Sequence, residues 1–65
     1  PNPTSGMLTI VADDVKTVEV FDFAGRKVAT YEGAAAIDLS SLASGIYALR
    51  ITTEYGTEIR KVVKQ

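Results

Sequence analysis

The residues that could do chemistry in this 65-residue chain are few, because histidine and cysteine are both absent. Nucleophilic catalysis needs a base that activates a serine or cysteine side chain. None of the serines has a conventional partner of that kind, and turn or capping roles account for all of them: Ser5, Ser40, Ser41 and Ser44. The composition therefore argues against a serine or cysteine enzyme, and it excludes disulfides and thiolate metal sites.

The adjacent carboxylates of Asp13 and Asp14 are the remaining candidates for acid–base work or for a metal site. They fall in an expected turn at residues 12–14, with no third ligand and no apolar wall near them in the sequence. Asp22 also has a structural explanation, because Asp22 and Gly25 occupy the first and fourth positions typical of a type I turn. We therefore predict that the chain is not an enzyme and that it binds no cofactor and no metal.

The charge of the chain is nearly balanced, with a formal net charge of −1. Arg60, Lys61 and Lys64 make the C-terminal tail basic, but nucleic-acid binding would require a larger positive excess and interleaved exposed aromatics. These tail charges are either solvated side chains of an edge strand or part of a recognition surface. No apolar run approaches the roughly 18 residues of a membrane span. We predict neither nucleic acid nor the membrane as a partner.

The strand at residues 45–53 is the element around which the other elements are expected to pack. Its alternation places Tyr47, Leu49 and Ile51 on one face. A second extended run, residues 57–64, follows it at once, and together they predict a C-terminal hairpin.

The hairpin is expected to have a three-residue loop with Gly56 in the left-handed conformation. Thr53 would then lie opposite Thr57, and Arg50 opposite Arg60. Strict alternation in this register turns Lys61 inward, so the prediction includes either a bulge near Lys61 or an edge position for this strand.

Four earlier segments are predicted to be short strands: residues 7–11, 16–22, 26–32 and 36–39. Val18 and Val20 share one face of the second of these, with Phe21 and Phe23 on the opposite face. In the third segment, Val28 is expected to face the core, with Tyr31 as a second candidate.

Residues 40–44 are predicted to form one helical turn with Ser40 as its N-cap, and Leu39 and Leu42 enter the core from this region. Six short strands without a long helix predict an all-β sandwich.

Several segments together resemble the type A family of C-terminal sorting domains of the type IX (Por) secretion system of Bacteroidetes. These are a PNP motif followed by a strand, a strand and turn, a segment that ends in Gly45-Ile-Tyr47, and a lysine-bearing C-terminus: residues 1–10, 18–26, 37–47 and 61–65. The resemblance covers essentially the whole chain. One departure is that the chain begins at the PNP motif itself, without the linker that normally joins this domain to its cargo.

The resemblance implies an immunoglobulin-like antiparallel β-sandwich of six to seven short strands, forming a single domain over residues 1–65 of a longer secreted protein. It implies a non-catalytic secretion signal that covalently follows a cargo and inserts into no membrane. The expected partners are the outer-membrane translocon or its shuttle and a sortase-like peptidase. The expected route runs through the periplasm to the outer membrane and cell surface, with cleavage of the domain on export.

The residues that match the signal motifs of the family are the predicted recognition residues: Pro1, Asn2, Pro3, Gly45, Tyr47, Lys61, Val62, Val63, Lys64 and Gln65. We hypothesise that the last strand, with Lys61 and Lys64, is the docking surface.

Two other functions remain open from the sequence. A cell-surface module that binds glycan or protein would need an exposed aromatic cluster, and three tyrosines, two phenylalanines and no tryptophan give little material for one. A passive spacer between domains would require the parent chain to continue past Gln65.

Overall fold

A computed structural model describes residues 6–9, 14–33 and 36–65, and these residues form six strands. The strands are β1 (Met7–Thr9), β2 (Val15–Phe21), β3 (Lys27–Glu32), β4 (Ala36–Asp38), β5 (Gly45–Thr53) and β6 (Gly56–Lys64). One antiparallel sheet has the order β3-β2-β5-β6, and β1 and β4 form a second antiparallel pair. The predicted all-β sandwich is confirmed. Over the described ranges, no helix is long and apolar enough to cross a membrane.

Strand β5 occupies the interior position that its sequence predicts, between β2 and β6. Tyr47, Leu49 and Ile51 are buried on one face, whereas Ile46 and Arg50 are exposed on the other. The alternation of β5 therefore separates a core face from an outer face of the four-stranded sheet.

The core lies between the two sheets. Leu8 of β1 stands opposite Ile37 of β4, and both are buried. The two strands thus bring a pair of aliphatic side chains over the core face of the larger sheet. The buried core residues are Leu8, Val18, Val20, Ile37, Leu39, Tyr47, Leu49, Ile51 and Val62.

The prediction that Val28 faces the core is wrong. Val20 pairs with Ala29 but Phe21 pairs with Lys27, so the register shifts at Val28. Such a bulge reverses the facing of the residues on either side of it. Ala29 and Tyr31 therefore pack against the core, and Val28 is 37% exposed.

The predicted helical turn at residues 40–44 is also wrong, because this segment is an irregular turn. The Asp38 carboxylate accepts the N–H of Ser40 at 2.9 Å, and the Leu42 N–H donates to the Leu39 carbonyl at 3.0 Å. Ser40 is thus bound by Asp38 and does not cap a helix. Leu39 is fully buried and Leu42 packs against the core, so their predicted role is confirmed.

The predicted register of the C-terminal hairpin is wrong by one residue. Thr53 pairs with Gly56, which leaves a two-residue loop, and Arg50 pairs with Ile59 instead of Arg60. Gly56 has a φ of 135°, so its predicted positive φ is confirmed in a shorter loop than expected.

This register changes which tail residues face the core, since a slip of one residue moves each side chain to the other face. Val62 pairs with Tyr47 and is buried, while Lys61 pairs with Ala48 and is exposed on the outer face. The pairing with β5 is continuous, so Lys61 needs no bulge. The alternative prediction, an edge position for the last strand, is confirmed.

Candidate functional site

The predicted recognition residues from Gly45 onward are brought together at one end of the larger sheet. Gly45 pairs with Lys64 and Tyr47 pairs with Val62, so two segments far apart in sequence become neighbours. Pro1, Asn2 and Pro3 lie outside the described residues.

Tyr47 and Val62 are structural residues of this end of the sheet. Tyr47 is 8% exposed and Val62 is 3% exposed. The Tyr47 hydroxyl donates to the Ala43 carbonyl at 2.6 Å, which ties the turn before β5 to the strand. A partner could not contact either side chain extensively without opening the core.

The tail residues that a partner could contact are those outside the core. Lys61 and Gln65 are exposed, and Val63 and Lys64 are half-buried. Val63 pairs with Ile46 on the outer face of the sheet. The accessible tail therefore carries two lysines, and Val63 lies on the same face as Lys61.

A shallow groove adjoins this tail on the outer face of the sheet, and the sequence analysis did not predict it. Its volume is about 270 Å³, and it is lined by Asp22, Phe23, Ile46, Tyr47, Ala48 and Lys61. Phe23 is 84% exposed and Ile46 is 42% exposed. The sequence signal for this groove is Phe23, an aromatic residue that lies beyond the end of β2, inside a turn whose geometry requires no aromatic ring.

The turn that carries Phe23 is held by hydrogen bonds to the side chain and to the backbone carbonyl of Asp22. The Asp22 carboxylate accepts the backbone N–H groups of Ala24 at 3.0 Å and Arg26 at 2.9 Å, and the Gly25 N–H donates to the Asp22 carbonyl at 2.9 Å. Gly25 has a φ of 86°. The predicted turn at residues 22–25 is confirmed, and Phe23 sits in it as an exposed side chain on a well-braced backbone.

The middle of the outer face carries a cluster in which two cationic side chains, Arg50 and Lys27, pair with the Glu19 carboxylate. Glu19 accepts from the Arg50 Nε at 2.8 Å and from the Lys27 Nζ at 3.4 Å, and the Arg50 guanidinium lies 5.1 Å from the centre of the Phe21 ring. Exposed pairs of this kind add little stability. The Glu19 carboxylate is held by two cations, so its negative charge is balanced within the cluster.

Among the described residues, three carboxyl groups have pKa values below their usual values of 4.5 for Glu19 and 3.8 for Asp22 and Asp38. The causes are the hydrogen bond from Arg50 to Glu19, the Arg26 backbone N–H at Asp22, and the hydrogen bond from Ser40 to Asp38. Glu54 differs, because its hydrogen bond with Asp14 raises its pKa.

We predict from these directions that the domain loses stability in acid. A carboxyl group whose pKa is lowered by folding contributes stability above its unfolded pKa and loses it as the pH falls through its folded pKa. The urea concentration at the midpoint of unfolding should therefore decrease as the pH is lowered from about 5 to about 2. Glu54 should act weakly in the opposite sense. Asp22→Asn should flatten this decline and Asp14→Asn should not, and an unchanged slope in the Asp22 variant would contradict the assignment.

Among the described residues, the aspartates and serines that were candidates for catalysis or metal binding lie in turns and bends between strands. Asp14 lies in a turn with a φ of 58°, and its carboxyl group meets that of Glu54, while Asp13 lies outside the described residues. Ser40 interacts with the Asp38 carboxylate. Within residues 6–9, 14–33 and 36–65, no group of three histidine, cysteine, aspartate or glutamate residues could hold a metal ion.

The two most exposed aromatic residues of the described chain, Phe23 and Tyr55, do not lie side by side. Phe23 follows β2, whose end pairs with the start of β5, whereas Tyr55 lies in the β5–β6 loop at the opposite end of the sheet and is 82% exposed. A stacking platform for a sugar ring would need aromatic side chains side by side. The geometry instead favours a partner contact around a single aromatic side chain.

The family model for the secretion system C-terminal sorting domain matches residues 1–65, which is the full chain. No curated protein matches the sequence.

Proposed function

Because the chain belongs to the family of secretion system C-terminal sorting domains, we propose that its C-terminal strand carries the surface that the secretion machinery contacts. The domain is a C-terminal sorting signal for type IX secretion, and this sorting role is non-catalytic. Such a signal is attached to a cargo, interacts with the secretion machinery and sends the cargo to the cell surface.

One observation carries the proposal for the site. The pairings Gly45–Lys64 and Tyr47–Val62 bring the two C-terminal motifs of the chain to one end of one sheet. Within this arrangement Tyr47 and Val62 hold the strands together from inside the core. Lys61, Lys64 and Gln65 then supply the polar groups that a partner contacts, with Val63 as the aliphatic side chain beside them.

For the finer roles we propose the following assignments. The partner that contacts this end is the outer-membrane translocon or its shuttle, and Pro1, Asn2 and Pro3 form the motif that enters the domain from the cargo side. A sortase-like peptidase removes the domain after passage from the periplasm to the surface. The chain of residues 1–65 acts as one domain, and it contributes no catalytic group to these steps.

The test of the docking surface is export of a fluorescent reporter that carries residues 1–65 at its C-terminus and is first directed to the periplasm of a type IX host. We predict that the double variant Lys61→Gln and Lys64→Gln lowers the surface-exposed reporter about tenfold or more, since each lost charge-assisted hydrogen bond weakens binding by roughly 1.5–3 kcal/mol. The measurement is surface fluorescence after protease shaving, relative to total reporter.

The matched control removes the same charge elsewhere on the domain. Lys16 and Lys27 lie on β2 and β3, and glutamine at both positions should leave export near the level of the wild type. Deletion of residues 61–65 is a poorer test because it removes Val62 from the core. Normal export of the Lys61 and Lys64 double variant would refute the proposed docking surface.

A further inference from the structure

Phe23 is a large apolar side chain that the fold does not use. It is 84% exposed, and the turn around it is held by hydrogen bonds of Asp22 and by Gly25, none of which involves the ring. A polar residue would satisfy the same turn and would not expose an aromatic surface to water. An exposed aromatic side chain on a rigid backbone loses little conformational freedom on binding, which is the property of an interface anchor.

The surroundings of Phe23 extend this single side chain into a site. Ile46 and Ala48 line the groove from β5, and Lys61 enters it from β6, where it pairs with Ala48. The groove therefore combines apolar side chains of β5 and the β2–β3 turn with a lysine on its β6 side. It lies at the same end of the sheet as the C-terminal tail.

The charges around the groove favour an acidic ligand. The Asp22 carboxylate is turned toward its own loop, where it accepts two backbone N–H groups and pairs with the Arg26 Nε at 3.1 Å. Glu19, further along the outer face, is balanced by Arg50 and Lys27. Among the residues that line the groove, Lys61 carries an ammonium group, while Lys64 lies at the same end of the sheet but alternates onto the other face with Val62.

We propose that this groove binds an extended segment of a protein partner in which an aliphatic side chain lies next to a carboxylate. The aliphatic side chain packs between Phe23, Ile46 and Ala48, and the carboxylate pairs with the Lys61 ammonium. This inference rests on the proposed function, and it identifies the partner of the sorting domain by its chemistry and adds Phe23 to the recognition surface. Complementary charge sets the orientation of the segment, and burial of the aromatic ring supplies most of the affinity.

The binding test uses a displayed library of random 12-residue peptides, selected on the full chain. We expect enrichment of peptides that pair an aliphatic residue with Asp or Glu. Phe23→Ser should weaken these peptides about tenfold or more, the equivalent of 1.4 kcal/mol or above, and Lys61→Gln should weaken them less and reduce the salt dependence of binding. Tyr55→Ser, which removes an equally exposed aromatic ring at the other end of the sheet, should bind like the wild type.

Three results would overturn the proposal: no enrichment, enrichment of basic peptides, or equal binding to the Phe23 and Tyr55 variants. Sedimentation of the free domain tests another occupant, a second copy of this chain. Concentration-dependent dimers that Phe23→Ser dissolves would assign the groove to self-association and would also overturn the proposal.

Reporter export separates this inference from the proposed function. Phe23→Ser should lower surface-exposed reporter while its urea midpoint stays within the range of Tyr55→Ser. Normal export of the Phe23 variant together with lost export of the Lys61 and Lys64 double variant would overturn the groove but retain the tail as the docking surface. Normal export of both would overturn both.

Discussion

Replacing Leu49 with alanine is expected to lower the free energy of unfolding by about 2–5 kcal/mol. Leu49 is 1% exposed at the centre of β5, and it meets β2 through its pairing with Val20. A domain of 65 residues has a total stability of roughly 3–10 kcal/mol at 0.05–0.15 kcal/mol per residue. The variant should therefore be largely unfolded under conditions in which the wild type is folded.

The control for this prediction lies three residues earlier on the same strand. Ile46→Ala removes a side chain of similar size, but Ile46 faces outward and is 42% exposed, so its cost should stay below about 1 kcal/mol. Urea unfolding followed by far-UV circular dichroism measures both variants. Equal costs at the two positions would contradict the assignment of a core face and an outer face to β5. We also expect export of a reporter carrying Leu49→Ala to fall in step with the folded fraction.

The parts of the fold that the sequence predicts correctly depend on local signals. The alternation of Tyr47, Leu49 and Ile51 identifies the core face of β5 without reference to any other strand. The pair Asp22 and Gly25 likewise defines its turn within four residues. The six strands follow from the same short-range patterns.

The errors of the sequence analysis arise where distant contacts choose between local alternatives. A positive φ at Gly56 suits either a two-residue or a three-residue loop, and only the packing of Val62 against the core decides the register. The bulge that turns Val28 outward depends on how β3 pairs with β2. At residues 40–44, Ser40 is a residue type that is common at helix N-caps, but its backbone N–H donates to the Asp38 carboxylate and no helix forms.

The recognition surface that we propose combines residues that the sequence identifies with residues that only the folded chain brings together. The tail lysines are visible as charges in the sequence, and the motif match locates them. The groove is assembled from the β2–β3 turn, β5 and β6, so its parts are up to 39 residues apart, from Asp22 to Lys61. Phe23 acquires a functional interpretation only when the structure shows that it is outside the core and lines the same groove as Lys61.

The two adjacent valines of the last strand provide the sharpest test of the hairpin register. Val62 is 3% exposed and pairs with Tyr47, whereas Val63 is half-buried on the outer face and pairs with Ile46. Val62→Asp places a carboxylate in the core without a partner, which costs several kcal/mol, and we expect it to unfold the domain. Val63→Asp should cost no more than about 1 kcal/mol, the range of β-propensity effects.

The register predicted from the sequence gives the opposite ranking, because it turns Val63 inward with Ile59 and turns Val62 outward. Thermal unfolding of the two variants therefore distinguishes the registers directly. Greater loss of stability in Val63→Asp would contradict the pairing of Thr53 with Gly56 and would reverse the faces of the whole strand. In the register of the structure, Val63→Asp stays folded while it adds a negative charge to the outer face that also carries Lys61. We then expect its reporter to be exported less than the wild type, because the added carboxylate would repel the acidic partner segment that we propose for this end of the sheet.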